Sequence, residues 1–238
     1  MKIALIGYGK MGKAIEEIAT AANDEIVLKI TGDNKELLTI ENLKKADVAI
    51  EFTNPHSAAA NIKLCIEAQV PVVSGSTGWL KDFDAIKKYC DDKKGAFLYA
   101  SNFSVGVNLF FALNKYLTSI MSLYKNYKPS IEEIHHTQKK DAPSGTAITL
   151  AEELLKRITT KKKWVNEKSA NASDLEIISK RIDDVPGIHS VKYISANDSI
   201  EIIHSAENRK GFAEGAVLAA NFLIGRKGVY SMHDVLDL

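Results

Sequence analysis

The sequence has 238 residues, 31 basic and 30 acidic, with 45% hydrophobic and 26% charged, which is typical of a globular protein. The net charge of +1 gives no electrostatic reason to expect a nucleic-acid partner, and no apolar run approaches the roughly 20 residues of a membrane span. Cys65 and Cys90 lie in predicted helices without metal-ligand spacing, so we expect no disulfide framework and a cytoplasmic location.

The N-terminal half alternates between strand and helix signals. Amphipathic segments predict three helices, at residues 11–22, 56–68 and 82–90. Short apolar runs predict five strands, at residues 2–6, 25–31, 47–52, 70–74 and 96–100. Because strands and helices of this length alternate in βαβ units, we expect an α/β fold with a Rossmann-type parallel sheet covered by helices on both faces.

The C-terminal half has a different pattern. One helix is predicted at 107–123, and two more at 146–158 and 211–224. Strand-like runs separated by turn residues lie at 130–136, 177–182, 189–196 and 199–206. These runs predict an α+β domain with a mixed or antiparallel sheet. We place its bounds at 106–208, and we expect 209–238 to return to the first domain (1–105), which is then discontinuous.

A glycine motif follows the first predicted strand and opens the first predicted helix. Gly7-Tyr8-Gly9-Lys10-Met11-Gly12 matches G-x-G-x-x-G, in which the glycines allow a tight turn, close approach of pyrophosphate and close helix packing. Asp33 ends the second strand, where the motif expects an acid for the ribose hydroxyls. We therefore predict a dinucleotide site; the alternative is a glycine turn without a ligand.

The same residues bear on the choice of cofactor. The carboxylate of Asp33 suits the free 2′-hydroxyl of NADH and repels the 2′-phosphate of NADPH. Lys10 and Lys35 would still tolerate that phosphate, so NADH is favoured and NADPH stays open. Segments at the ends of later strands are predicted walls for the nicotinamide, although each alone resembles an ordinary turn: Phe52-Thr53, Gly75-Ser76-Thr77 and Ala100-Ser101-Asn102-Phe103.

The stretch EIHHTQKKDAPSGTA, residues 133–147, concentrates titratable side chains. His135 and His136 end a predicted strand and point to opposite faces, so we expect no joint metal site, since no cysteine or carboxylate cluster accompanies them. Ser144 is a predicted N-cap, and Ser144 to Thr146 would present amide groups and hydroxyls to a carboxylate or phosphate, with Lys139 as a nearby cation. A capped helix after a surface loop is the alternative.

These motifs together resemble the dihydrodipicolinate reductase family over essentially the whole chain. Glu133-Ile134-His135-His136 with Lys139 and Asp141 to Ala147 is similar to that family's substrate-domain signature. The glycine loop, Phe52-Thr53 and Gly75 to Gly78 agree with the family pattern too. Further agreement lies at Asn102 to Asn108, Ile202 to Ala206, Arg209, Phe212-Ala213 and Gly215-Ala216.

The resemblance implies an NAD(P)H-dependent reductase of a cyclic imine dicarboxylate in the diaminopimelate route to lysine. It implies that Ser144, Gly145 and Thr146 hold one carboxylate and that His136 and Lys139 contact the substrate. His135 and Lys139 are the implied catalytic residues, and either could supply the proton that follows hydride transfer. It also implies a homotetramer assembled through the second domain, whereas the expectation of no metal cofactor comes from the residues themselves.

Two other functions remain open from the sequence. The chain could be another nicotinamide-dependent dehydrogenase acting on a different imino or amino acid. It could instead be a nicotinamide-sensing protein without turnover, although a sensor needs no proton donor beside a carboxylate-binding segment. Turnover of the cyclic imine with either reduced nicotinamide distinguishes these functions.

Overall fold

The computed structural model describes residues 1–208 and 210–238, so Arg209, where the predicted returning segment begins, lies outside the described residues. These residues form two compact units. The first consists of Met1–Asn108 and Lys210–Leu238, and the second of 109–208. None of the helices in the described ranges is long and apolar enough to cross a lipid bilayer.

The predicted helices and strands are present, with ends that differ from the predicted ones by a few residues. The strands are β1 (Lys2–Ile6), β2 (Glu25–Ile30), β3 (Val48–Glu51), β4 (Val72–Ser74), β5 (Ala96–Tyr99), β6 (Lys128–His135), β7 (Lys163–Val165), β8 (Asp174–Arg181), β9 (Gly187–Ile194), β10 (Ser199–Ala206) and β11 (Gly228–Tyr230). The helices are α1 (Lys10–Ala21), α2 (Ile40–Leu43), α3 (Ala58–Glu67), α4 (Phe83–Asp92), α5 (Val105–Met121), α6 (Gly145–Arg157), α7 (Lys210–Leu223) and α8 (Met232–Leu236).

The first unit is built on a six-stranded parallel sheet in the order β11-β5-β4-β3-β1-β2. The Rossmann-type prediction is therefore confirmed. The chain leaves β1 toward β2 on one side and returns to β3 on the other, so a topological switch lies at the carboxyl ends of β1 and β3. Sequence reasoning missed β11, because three half-buried residues carry no strand periodicity.

Helices cover both faces of this sheet because its strands are apolar on both sides. Ile15 of α1 and Ala216 of α7 are fully buried in one cluster, which includes Leu5 of β1. Ile62 of α3 and Ile86 of α4 are fully buried in the cluster that includes Ile6. Full burial of one such large aliphatic side chain contributes about 1.5–3 kcal/mol, so these two layers supply the main driving force for the first unit.

The second unit contains a five-stranded mixed sheet in the order β10-β9-β6-β8-β7. The hairpin of β9 and β10 is antiparallel and continues antiparallel to β6, as the turn residues predicted. The β6–β8 and β8–β7 pairs are parallel, so the sheet is mixed, which confirms the first of the two predicted alternatives. The reason is that α6 returns the chain after β6 so that β7 runs in the same direction, and residues 166–173 return it again before β8.

The glycine turn after β1 is required by close backbone contacts. Gly7 has φ of +97°, and an added Cβ there would lie 2.0 Å from the carbonyl oxygen of Phe52. An added Cβ at Gly12 would lie 2.6 Å from the carbonyl oxygen of Gly7. Because backbone atoms cannot move aside as a flexible side chain can, both positions require glycine for α1 to pack at the end of β1.

We expect Gly12→Ala to destabilise the first unit by about 1–3 kcal/mol, since its methyl group meets the Gly7 carbonyl. Urea unfolding followed by the fluorescence of buried Trp79, in a Trp164→Phe background, measures the change. Gly9→Ala is the matched control, because its Cβ would have no neighbour within 4 Å. Equal stability of the Gly12→Ala and Gly9→Ala proteins would contradict the packing argument.

Candidate active site

The start of α1 offers an anion-binding surface in the first unit. The amides of Gly7 and Tyr8 donate to the carbonyl oxygen of Ile30 at 3.0 and 2.9 Å, which fixes the turn. Among the described residues no side chain caps α1, and its first turn contains no acid. The unpaired amides and the positive end of the helix dipole are therefore available to a phosphate, and Gly9 leaves the space open.

A cavity of about 450 Å³ extends from this turn. Of the predicted cofactor residues, Gly7, Gly9 and Thr53 line it. The other residues of its wall come from the ends of β1 and β2 and from the segment before α3: Ile6, Tyr8, Ile30, Thr31, Gly32, Lys35, Leu38, Asn54, Ser57 and Asn61. The cavity lies at the carboxyl ends of β1, β2 and β3, where open α/β sheets bind ligands, and sequence reasoning missed the α3 side of it.

The loop after β2 forms one end of this cavity. Gly32 and Lys35 line it, whereas Asp33 is exposed beside them and its amide donates to Oγ1 of Thr31 at 3.1 Å. Asn34 is occupied within the loop, since its Oδ1 accepts from the amide of Thr31 at 2.7 Å. The loop is thus held by Asn34, and Asp33 stays a predicted ribose ligand. Lys10 and Met11, also predicted ligands, are the first residues of α1.

A buried carboxylate that sequence reasoning missed organises the wall near Thr53. Glu51, at the end of β3, is fully buried and accepts hydrogen bonds from the amide of Thr53 at 3.0 Å and from its hydroxyl. It also accepts from the hydroxyls of Ser74 at 2.7 Å and Ser76 at 2.9 Å. These donors compensate the loss of water around the carboxylate, and they fix the orientation of Thr53 and Ser76.

The remaining predicted nicotinamide residues shape the wall through packing. Phe52 packs on Phe103 with ring centroids 5.6 Å apart, and Gly75 admits the Phe52 ring, because an added Cβ would lie 2.1 Å from it. Oδ1 of Asn102 accepts from the amide of Ser104 at 2.9 Å. Of the two predicted nicotinamide residues that remain, Ala100 is buried and Thr77 is exposed. Cofactor contact by these residues stays a prediction.

In the second unit the strand β6 places Glu133 and His135 on its buried face. Alternate residues of β6 are buried, and the strand ends at His135. Nδ1 of His135 lies 3.3 Å from Oε2 of Glu133, which is an ion-pair distance without hydrogen-bond geometry. His136 follows the strand and lines a different, acidic cavity of about 370 Å³, which also contains Asp183 and Glu207. His136 stays a predicted substrate residue.

The start of α6 is the second anion-binding surface. Ser144 is its N-cap, as predicted, and its Oγ accepts from the amide of Ala147 at 3.2 Å. Ser144 is buried, and its amide donates to Glu133 at 3.1 Å, so its polar groups are used inside the protein. Gly145 is exposed and Thr146 half-buried, and the first turn contains no acid. The accessible positions for a carboxylate are thus Gly145 and Thr146.

Lys139 lies in the loop between β6 and α6, where Arg181 holds the backbone. Nζ of Lys139 donates to both carboxylate oxygens of Asp141, at 2.9 and 2.7 Å, and this contact lowers the pKa of Asp141. Arg181 donates to the carbonyl oxygens of Asp141 at 2.6 Å and Lys139 at 3.4 Å, and to Glu133 at 3.2 Å. Sequence reasoning missed Arg181, which fastens the Lys139 loop to the strand that carries His135.

A third histidine, His189, completes a cluster with Glu133 and His135. His189 of β9 lies opposite Glu133 in the sheet, and its ring packs edge-on against His135 with centroids 5.0 Å apart. Its Nε2 lies 3.0 Å from Oγ of Ser144. Burial, and secondarily the charge of His135, lowers the pKa of His189 to about 4, so its ring is neutral near pH 7.

Glu133, His135 and His189 also have the spacing of a metal-binding group. One ligand atom from each lies within 4.8 Å of the others, so a single buried carboxylate and a histidine from another strand accompany His135. The other oxygen of Glu133 contacts Arg181 at 3.2 Å, and Ser144 and Ser179 donate to the same carboxylate. Because a guanidinium and two donors already use the carboxylate, these residues fit a hydrogen-bonded network better than a cation site.

The parallel sheet with its glycine turn and uncapped helix places the chain among the Rossmann-type nucleotide-binding proteins. Family models described as the N-terminus and the C-terminus of dihydrodipicolinate reductase match residues 1–103 and 106–236. The chain therefore belongs to the dihydrodipicolinate reductase family.

One relative agrees with this assignment, and two solved structures share the fold. The chain is 47% identical over 239 aligned residues to a 4-hydroxy-tetrahydrodipicolinate reductase of Christiangramia forsetii, covering 100% of this chain and 98% of that protein. A dipicolinate-bound dihydrodipicolinate reductase from Paenisporosarcina sp. TG-14 has the same fold, with a TM-score of 0.78, 24% identity and 97% of each chain covered. A probable dehydrogenase from Thermotoga maritima matches with a TM-score of 0.58 and 11% identity, covering 100% of this chain and 93% of its own.

The neutral state of His189 predicts a pH dependence of stability. Below pH 6.5 the unfolded chain protonates this histidine, whereas the folded protein resists protonation until about pH 4. The free energy of unfolding should therefore fall as the pH decreases from 6.5 to 4, by up to about 3 kcal/mol from this group. Urea unfolding at stepped pH should show a shallower slope for His189→Asn, whereas His56→Asn at an exposed position should match wild type. An unchanged slope in His189→Asn would contradict the burial argument.

Proposed function

We propose that this protein reduces the cyclic imine 4-hydroxy-tetrahydrodipicolinate, or dihydrodipicolinate, to tetrahydrodipicolinate with NADH or NADPH in the diaminopimelate route to lysine. The observation that carries the proposal is the match of both family models and of a 47% identical reductase across the whole chain. The site chemistry supports it, since the second unit places His135, Lys139 and an open helix start around one carboxylate network.

The start of α6 suits one carboxylate of the substrate. The amide groups at Gly145 and Thr146 point out of the helix end, and the dipole favours a negative charge there. Thr146 adds a hydroxyl donor. Direct binding of the carboxylate by Ser144 stays a prediction; its hydroxyl caps the helix and its amide donates to Glu133, so we propose that it keeps the neighbouring amides accessible.

The reaction requires a hydride and a proton. A bound reduced nicotinamide supplies the hydride. The hydride forms a new C–H bond at the electron-poor carbon of the conjugated imine, and the displaced electron pair accumulates on the ring until it takes up a proton. His135 is our proposed proton donor, because an imidazole exchanges protons near neutral pH. Lys139 stabilises the accumulating charge and binds substrate, once its ammonium group leaves Asp141 for the ligand.

The cofactor is proposed to bind along the first unit, with pyrophosphate at the start of α1. The residues fit this group, because Gly9 leaves open space and α1 lacks a capping side chain within the described part of the chain. We infer that Asp33 hydrogen-bonds the adenosine ribose and favours NADH. Lys35, which lines the cavity, would accept the additional phosphate of NADPH as a second cofactor.

Assembly and location are proposed from the family relationship. A cytoplasmic homotetramer formed through the second unit is consistent with apolar side chains exposed along α5, including Leu113 at 56% and Tyr116 at 67% exposure. A monomer in sedimentation equilibrium would contradict the tetramer.

Turnover tests the proposed function directly. The imine, prepared in situ with dihydrodipicolinate synthase, is supplied with NADH or NADPH, and loss of absorbance at the reduced nicotinamide band is followed. We expect His135→Gln to lower kcat by about 10²- to 10⁴-fold, and Lys139→Ala to lower turnover strongly, with NADH affinity nearly unchanged. Wild-type protein that oxidises neither cofactor would overturn the proposed function. Equal loss of turnover and NADH binding in the variants would indicate misfolding or a sensor.

Cofactor choice gives a separate prediction. Asp33→Ala should weaken NADH binding by about tenfold or more, since a hydrogen bond to a charged group contributes roughly 1.5–3 kcal/mol, and it should affect NADPH less. Titration of nicotinamide fluorescence measures both dissociation constants. The exposed Glu36→Ala is the matched control and should leave both nearly unchanged. A larger loss for NADPH than for NADH would contradict the role of Asp33.

A further inference from the structure

Glu133 is a fully buried carboxylate that connects several elements of the second unit. Its Oε1 accepts from the hydroxyl of Ser179 at 2.7 Å and from Arg181 at 3.2 Å. Its Oε2 accepts from the amide of Ser144 at 3.1 Å and lies 3.3 Å from Nδ1 of His135. One side chain of β6 therefore contacts β8, the start of α6 and the predicted proton donor.

The sheet register produces this arrangement. Glu133 and His135 are two residues apart on β6 and share its buried face. Ser179 lies opposite Glu133 on β8, and Arg181 lies opposite His135. On the other side, His189 of β9 lies opposite Glu133. Such contacts require three strands in a fixed register, which makes the orientation of the Glu133 carboxylate rigid.

Glu133 is ionised in spite of its burial. Burial alone would raise its pKa, but contacts with His135, Ser144 and Ser179 together hold the pKa well below its usual range. A carboxylate held beside one ring nitrogen of a histidine selects the tautomer that carries the proton there, and it stabilises the protonated ring. For His135 the selected proton is on Nδ1, which leaves Nε2 as the nitrogen that exchanges a proton with a substrate.

Two neighbouring residues, Gly187 and His189, limit the space around the His135 ring. An added Cβ at Gly187 would lie 3.1 Å from this nitrogen, so a side chain at that position would displace the ring. His189 packs against the same ring and stays neutral, since burial lowers its pKa to about 4. The neutral His189 ring packs against His135 and adds no second positive charge beside Glu133.

We propose that Glu133 is a positioning residue that fixes the tautomer and orientation of His135 and ties it to the carboxylate-binding start of α6. The proposal rests on the proposed function, because it assigns His135 the role of proton donor. One oxygen of Glu133, Oε2, contacts both Nδ1 of His135 and the amide of Ser144, so the proton donor and the substrate-binding helix end share one anchor. A separation of 3.3 Å is typical of catalytic contacts without ligand, which are often long and tighten in the ligand complex.

Removal of the Glu133 charge should alter the pH dependence of catalysis. The titratable and charged groups that face the cluster come from every element around it: His135 on β6, Lys139 and Asp141 in the following loop, Arg181 on β8, His189 on β9 and His204 on β10. All of them remain in Glu133→Gln, which keeps the size of the side chain, removes its negative charge and replaces one acceptor oxygen with an NH2 donor. Any shift of the profile in this variant is therefore assigned to the lost carboxylate.

We expect Glu133→Gln to lower kcat by about 10²-fold or more, because the protonated histidine loses its charged partner. The descending limb of the kcat profile should move to lower pH, while NADH affinity stays unchanged. Glu132→Gln is the matched control: this neighbour lies on the other face of β6 and pairs with Lys180 at 2.7 Å. It should keep the wild-type kcat and pH profile. Unchanged kcat and pH profile in Glu133→Gln would overturn the proposal.

A spectroscopic measurement on the wild-type protein tests the same point without turnover. Nitrogen-15 labelling of the six histidines gives ring-nitrogen shifts that distinguish the two tautomers, and the missing signals in His135→Gln assign the ring. We expect the proton of neutral His135 on Nδ1 in wild-type protein. A proton on Nε2 would overturn the proposal, and so would zinc found at one equivalent in wild type and lost in Glu133→Gln. If wild type lacks turnover but shows the Nδ1 tautomer, the proposed function fails while the positioning contact stands.

Discussion

A carboxylate that is removed from water must collect hydrogen-bond donors, and this requirement organises both units. Glu51 ends β3 and gathers the hydroxyls of Thr53, Ser74 and Ser76 at the cofactor cavity. Glu133 lies near the end of β6 and gathers Ser144, Ser179 and Arg181 beside His135. In each unit, the donors that stabilise the buried charge are strand residues, such as Ser74 and Arg181, together with residues of the adjoining turns, such as Thr53 and Ser144. Their positions are thus fixed by electrostatics as well as by packing.

The two predicted anion-binding sites share one physical feature, a helix start without an acidic residue in its first turn. At α1 the cap is Gly9, and at α6 it is Ser144, whose hydroxyl accepts from Ala147. The first offers space for a pyrophosphate, and the second offers accessible amides at Gly145 and Thr146. In the proposed function, recognition of anions by backbone amides leaves Lys139 and His135 available for charge stabilisation and proton transfer.

The fold was largely predictable because its elements carry strong local signals. Buried runs such as Lys2–Ile6 and the amphipathic helix at Lys10–Ala21 can be read without tertiary information. Short elements such as Lys163–Val165 and Gly228–Tyr230 were missed, since three residues form strands only when a neighbouring strand supplies hydrogen bonds. The parallel pairing of β6 and β8 was missed for a related reason: direction depends on how α6 returns the chain, which no local pattern records.

The sequence by itself determined the two-part α/β architecture, the glycine turn at Gly7 to Gly12 and the membership of the family, because these depend on residue type at fixed spacing. The sequence also predicted His135 and Lys139 as the catalytic residues. Only the tertiary structure decided their surroundings. Glu133 meets Arg181 and His189 across strands that are far apart in the chain, and Ser144 turns inward to that carboxylate. Sheet register and burial decide such contacts, and neither is encoded by spacing along one segment.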